Sequence, residues 1–184
     1  MEKRINLKKI AGTTRIWIRP LGEELQAKYV DKELKTLAPG DALIIDAKDV
    51  EVFDGSFANA FFSKTVLDMA NHYPNRFFIV ENLNEYTRHN LWKDLKDFSL
   101  IMIERENSQL KLLGKIHPAD SQTFDLIKHA SKPLTAIELK DKLNINLTAV
   151  NERLSKLTEY GVVRRDTGIS EAGRQQYIYS GPRL

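Results

Sequence analysis

Four apolar residues, Leu147, Val150, Leu154 and Leu157, recur at spacings of three and four near the end of this 184-residue chain, with polar side chains between them. A stripe of that period belongs to a helix that turns one face to a core and leaves the opposite face free. The flanking residues narrow the choice. Asp120 or Ser121 is placed to cap a first helix carrying Phe124, Leu126, Ile127 and Ala130, and Pro133 breaks the chain behind it. Thr135-Ala136-Ile137-Glu138 has the form of a capping box. It predicts a second helix from Ala136 to about Leu143 that buries Ile137 and at least one of Leu139 and Leu143. Asn144-Ile145-Asn146 offers a left-handed residue and then a fresh cap for the striped third helix. Tyr160-Gly161 ends that helix. Val162-Val163-Arg164-Arg165, a turn at Asp166-Thr167-Gly168 and Gln176-Tyr177-Ile178-Tyr179 then predict a two-stranded ribbon.

Three helices followed by a ribbon is the order of a winged helix-turn-helix, a module that usually sets its third helix into the DNA major groove. The stripe leaves Thr148, Ala149, Asn151, Glu152, Arg153, Ser155 and Lys156 off the core. Asn151 and Arg153 are the candidate base readers, because their side chains make bidentate contacts to adenine and guanine edges. Thr148, Ser155 and Lys156 suit phosphate contacts, and Arg164, Arg165 and Arg174 put charge on the wing. Glu152 and Glu159 dilute this positive field, and winged helices also dock proteins. A protein occupant is therefore the alternative.

The run Leu134-Thr135-Ala136-Ile137-Glu138-Leu139, the third helix Leu147–Leu157 and Tyr160-Gly161-Val162-Val163-Arg164-Arg165 resemble bacterial winged-helix regulators of the ArsR and MarR type. The resemblance covers about the last 60 residues and implies the fold more than the ligand. The metal-binding cysteines of many ArsR-type proteins have no counterpart, since the chain has no Cys.

Charge adds little weight. Residues 118–184 carry ten Lys/Arg against eight Asp/Glu, and residues 1–117 carry eighteen against seventeen. Any DNA affinity must come from the placement of a few cations and should fall with added salt. No apolar run reaches the length of a membrane span, and Met1-Glu2-Lys3-Arg4 is not followed by the apolar core of a signal peptide. A cytoplasmic protein without membrane association is expected.

The first 117 residues read as an α/β unit. Arg15–Arg19 alternates like a strand and stops at Pro20, and Leu21, Leu25, Tyr29, Val30 and Leu34 form a helical stripe ending before Pro39-Gly40. Ala42–Asp46 and Phe77–Val80 look like buried strands, and 56–71 and Glu85–Asp97 like helices, the latter with Leu91, Trp92 and Leu95 inward. Leu100–Ile103 and Gln109–Leu113 predict a hairpin around Asn107-Ser108. Apolar runs without polar alternation call for a sheet covered on at least one face.

Within this half, Gly40 to Phe62 resembles the STAS-like family, relatives of bacterial anti-sigma-factor antagonists: a strand, an Asp-containing turn, then a helix opening on a small polar residue. In that pattern Ser56 matches the serine that a partner kinase phosphorylates and Asp54 the acid before it, while Gly55 and Phe57 depart from it. The resemblance covers about residues 10–117 and implies protein interaction or sensing, including a kinase-like ATPase partner. Read from local chemistry, Ser56 is a helix N-cap; read from the resemblance, it is a modification site.

Enzyme chemistry finds little footing. Asp46, Asp54 and Glu81 fall near strand ends, where carboxylates of open α/β sheets bind ligands, yet they also suit ordinary turns. His72, His89, His117 and His129 have no zinc-ligand spacing, and neither a phosphate-cradling Gly-rich loop nor a nucleophile elbow is present. No catalytic residue, metal or cofactor is expected.

The expectation is an α/β chain in two parts, a STAS-like sheet flanked by helices over 1–117 and a small winged helix-turn-helix over 118–184, hinged at Ile116–Asp120. Its expected role is that of a prokaryotic transcription regulator that binds duplex DNA, and half-site recognition points to a homodimer. A non-catalytic protein–protein adaptor is the first alternative, and a small α/β enzyme with a regulatory winged helix the second.

Overall fold

The computed structural model describes residues 1–170 and 172–183. Its centre is a five-stranded sheet in the order β1-β3-β5-β6-β7, made of β1 (Glu2–Asn6), β3 (Ala42–Asp46), β5 (Phe77–Glu81), β6 (Ile101–Glu106) and β7 (Gln109–Gly114). The first four run parallel and β7 returns antiparallel from β6. The hairpin turn falls on Asn107 and Ser108, both left-handed (φ 49° and 63°), as the expected position requires. β1 and the helix after it, α1 (Leu7–Ala11), lie in a segment whose sequence carries no clear period.

Two long helices cross between the parallel strands. The first, α2, spans 19–36 and the second, α3, spans 55–72; each contains a π-helical stretch, at Gln26–Asp31 and Asn59–Ser63 respectively. A third crossover helix, α4, spans Glu85–Asp97 and begins with a capping box between Asn84 and Thr87. A short parallel pair, β2 (Arg15–Ile16) with β4 (Val52–Phe53), sits beside them.

Two sequence expectations are corrected here. The strand expected over Arg15–Arg19 stops at Ile16, because Arg19 and Pro20 already open α2 and Pro suits the first helical turn. Ile18, between them, has φ 72°, a rare conformation for a β-branched residue, and its N–H donates to Asp54 Oδ2 at 3.3 Å. Trp92 lies at the protein surface, 36% exposed, rather than inward with Leu91 and Leu95.

Why the strands lack polar alternation becomes clear from the two cores. Leu43, Ile45, Phe78, Val80 and Met102 point to one face, under α2, α3 and α4. The intervening residues Ala42, Ile44, Phe77, Ile79, Ile101 and Ile103 point to the other. That second face is covered by the last third of the chain: Phe124, Ile127, Leu134, Leu139, Val150, Leu154, Leu157, Val162, Val163 and Tyr179 complete the same core. Each such aliphatic side chain removed from water is worth about 1.5–3 kcal/mol, so the two parts of the chain are held together strongly.

The last third has three helices, α5 (Pro118–Lys128), α6 (Ala136–Leu143) and α7 (Leu147–Glu159), and a three-stranded sheet in the order β8-β10-β9. Its strands are β8 (Leu134–Thr135), β9 (Arg164–Ile169) and β10 (Gln175–Ser180). The first helix starts earlier than its expected caps: Pro118 opens it and His117 Nδ1 accepts the Ala119 N–H at 3.3 Å, leaving Asp120 buried inside the first turn. The expected turn at Asp166-Thr167-Gly168 is instead part of β9, paired with Ile178, Tyr177 and Gln176. Arg164 and Asp166, two apart on one face of the strand, form an ion pair (Nη2–Oδ1 2.8 Å) that favours the extended chain.

Candidate nucleic-acid interface

The connection between α6 and α7 follows its local chemistry closely. Thr135 Oγ1 accepts the Glu138 N–H at 3.1 Å while Glu138 Oε2 accepts the Thr135 N–H at 2.7 Å. That backbone bond, ahead of the Thr135 hydroxyl and Lys132, holds the Glu138 carboxyl below its ordinary pKa. Asn144 closes α6 in the left-handed region (φ 51°, ψ 49°), and Asn146 caps α7 by accepting the Ala149 N–H at 2.8 Å. Ile137 is 59% exposed, against expectation. It stands two residues from buried Leu139, and that step turns about 200° around a helix, so the two cannot share a core face.

On α7, Val150, Leu154 and Leu157 are buried, and Leu147, at the first turn, is half-exposed. The remaining face divides in two. Thr148, Asn151, Glu152 and Ser155 are exposed to solvent. Arg153 and Lys156 instead turn toward α5. Arg153 Nη1 lies 3.4 Å from Thr123 Oγ1 and 3.5 Å from the Ala119 carbonyl oxygen, and Lys156 Nζ lies 2.7 Å from Asp120 Oδ2. The cause is helical geometry: Arg153 and Lys156 flank the stripe on the side where the first helix packs, and the acceptors of that helix, among them the buried Asp120 carboxylate that Lys156 meets, lie there.

The arginines of the β9–β10 hairpin divide in the same way. Arg164 donates from Nη1 to the Pro39 carbonyl at 3.2 Å, filling the space beside Gly40, where a Cβ would sit 2.3 Å from that nitrogen. Arg165 is exposed, its guanidinium 4.7 Å from the ring centre of Tyr177, and its N–H donates to Asn75 Oδ1 at 3.1 Å. Arg174 is exposed in the hairpin turn, where its N–H donates to Ser170 Oγ at 3.1 Å. Asn151, Ser155, Thr158, Arg165 and Tyr177 line a groove of about 310 Å³ between α7 and the hairpin. It adjoins a polar cleft of about 480 Å³ walled by Asn71 and Asn75 on one side and Glu159 and Arg165 on the other. Of the expected interface residues, the geometry brings Thr148, Asn151, Ser155, Arg165 and Arg174 to the surface. Arg153, Lys156 and Arg164 are engaged elsewhere.

Tyr177 and Asn75 are the residues that sequence reasoning missed. Tyr177 and Tyr179 stand two apart and share one face of β10, so strand alternation gave no signal that Tyr177 is exposed while Tyr179 is buried. Asn75, ninety residues from Arg165, carried none.

Ser56 is not the helix cap. Asp54 caps α3 by accepting the Phe57 N–H at 2.7 Å, and Ser56, exposed in the first turn, donates its hydroxyl to both Asp54 oxygens at 3.0 Å. The other carboxylates near strand ends are also engaged. Asp46 Oδ1 accepts from Asn82 and from the Lys48 N–H, and Glu81 pairs with Arg4 and Arg105. Among the described residues, no group of three or more His, Cys, Asp or Glu side chains is arranged to hold a metal ion, and no helix is long and apolar enough to cross a membrane.

No protein-family model matches this chain, and no curated protein is a match to it.

Proposed function

We propose that residues 118–184 form a winged helix that binds duplex DNA and that residues 1–117, a STAS-like sheet domain, carry it as a rigid platform for protein interaction or sensing. The single observation that carries this reading is the polar face of α7, Thr148, Asn151 and Ser155, lying open beside Arg165 on its Tyr177 support. The strand order β8-β10-β9 after three helices supports the same reading. Base reading falls to Asn151, whose amide suits adenine, and phosphate contact to Thr148, Ser155, Arg165 and Arg174. The chemistry is binding only, and two copies would read two half-sites.

The test is selection of bound duplexes from a random pool, followed by titration of the enriched sequence at several salt concentrations. So few exposed cations predict a shallow slope, about 2–3 in log K against log salt. Arg165→Ala combined with Arg174→Ala should weaken binding at least about tenfold and flatten that slope. Absence of enrichment, or affinity unaltered in the double variant, rejects the reading. A second reading, that of a protein adaptor, is favoured by a separate feature: an exposed aromatic cleft on the STAS-like half between Trp17 and Tyr86.

A further inference from the structure

Most of the large aromatic side chains of this protein are buried, and two of the exposed ones carry a cation from the chain itself. Lys96 Nζ sits 4.7 Å from the centre of the Trp92 ring, and Arg165 sits at the same distance over Tyr177. Trp17 and Tyr86 are 48% and 70% exposed, and among the described residues no lysine or arginine lies over either ring. They line a common cleft of about 570 Å³ whose floor includes Val52.

The cleft is a built feature. Trp17 follows directly from β2, whose partner strand β4 supplies Val52. Tyr86 stands in the first turn of α4, and Asn84, which caps that helix, donates its side-chain amide to the carbonyls of Val50 and Glu51 at 2.7 and 3.0 Å. One wall is thus tied to β4 and the other to the two residues directly before it. Behind Trp17 the chain holds the unusual Ile18 conformation, which fixes the direction in which it leaves β2.

Charge selects the occupant. Of the three charged groups in the cleft, Arg15 and Glu51 neutralise each other through an Nε–Oε2 contact of 2.7 Å. Glu85 has no ion-pair partner among the described residues, so the cleft keeps one uncompensated negative charge alongside two open π faces. Both elements attract a cation and repel an anion such as a phosphate or a carboxylate. We infer that this cleft receives an arginine or lysine side chain presented by a partner protein, stacked against Trp17 and Tyr86 and paired with Glu85. The surface is separate from α7 and does not depend on the DNA reading.

The probe is a fluorescein-labelled hexa-arginine peptide, titrated with the full-length protein by anisotropy against hexaglutamate as the opposite charge. The net charge of +3 makes diffuse attraction of a polycation unfavourable, so binding reports the cleft. Trp17→Ala and Tyr86→Ala are each expected to weaken hexa-arginine binding about 2–5-fold. Glu85→Lys should abolish it, and Glu159→Gln, on α7, should leave it unchanged. These positions are exposed, and circular dichroism will show that the variants keep their fold. Three results overturn the inference: hexaglutamate binding as tightly as hexa-arginine; hexa-arginine binding that is undiminished in the Trp17→Ala, Tyr86→Ala double variant; or no peptide binding together with a self-association that Trp17→Ala removes, which assigns the cleft to a second copy of the chain.

Discussion

Lys156 on α7 reaches 2.7 Å to the carboxylate of Asp120, a residue only 4% exposed in the first turn of α5. A side chain expected to meet phosphate is thereby converted into an internal tie between two helices. Replacing it with methionine keeps the aliphatic stem but leaves Asp120 buried without its cation. Because the lysine side chain is itself 38% exposed, the expected loss is moderate, about 1–2 kcal/mol in urea denaturation. Affinity for the selected duplex, measured per folded molecule, should not change.

Gly161 marks where α7 meets the α/β half. It has φ 66°, and a Cβ there would stand 2.8 Å from Met69 Cε on α3. Alanine therefore meets both an unfavourable backbone conformation and a crowded contact, though the methionine end can move. A loss of about 1–2 kcal/mol is expected in thermal or chemical unfolding. The same substitution at Gly173, equally left-handed (φ 75°) but with no atom within 4 Å, separates the backbone part from the packing part.

Leu154 lies in the core that the sheet shares with the last third of the chain. Leu154→Ala should cost about 2–5 kcal/mol. Because that core is continuous, both halves should unfold together. Tryptophan fluorescence, from Trp17 and Trp92 in the first half, and far-UV circular dichroism should give coincident transitions in parent and variant. Two separated transitions, or independent tumbling of the halves in NMR relaxation, would show that the shared core contributes little.

Asp94 is buried on α4 and accepts the Ser63 hydroxyl at 2.5 Å. Burial raises its pKa, outweighing the hydrogen bonds from Ser63 and Asn59 that lower it. The folded state therefore holds the proton more tightly than the unfolded chain. Stability gained by protonation grows as pH falls through the raised folded value toward the unfolded value near 3.9, and at neutral pH the charged form is a net cost. Asp94→Asn should match or exceed the parent in stability at pH 7, with the difference shrinking toward pH 4. A parent that is markedly the more stable at pH 7 would mean the carboxylate's hydrogen bonds outweigh its desolvation.

Local signals placed many elements closely. The bounds of α4 and α6, the Thr135–Glu138 capping box, left-handed Asn144, the Asn146 cap and the β6–β7 turn were all readable, because each is fixed by residues within about one helical turn. Errors arose where a competing neighbour decided the outcome. Asp54 displaced Ser56 as the α3 cap because its carboxylate, two positions earlier, accepts the free Phe57 N–H. Ile137 lost its place in the core to Leu139.

The amino-acid order by itself determined the periods, caps and turns, and hence a mixed α/β chain with a three-helix-and-ribbon tail. Only the tertiary structure decided which polar side chains stay available. Arg153, Lys156 and Arg164 look like Arg165 and Arg174 in sequence, yet the first three are drawn to oxygen atoms of Thr123, Asp120 and Pro39. The reason is physical: a helix period states which side faces the core, but a flanking cation is captured by whichever acceptor packing brings within about 3 Å, and those acceptors lie tens of residues away or more.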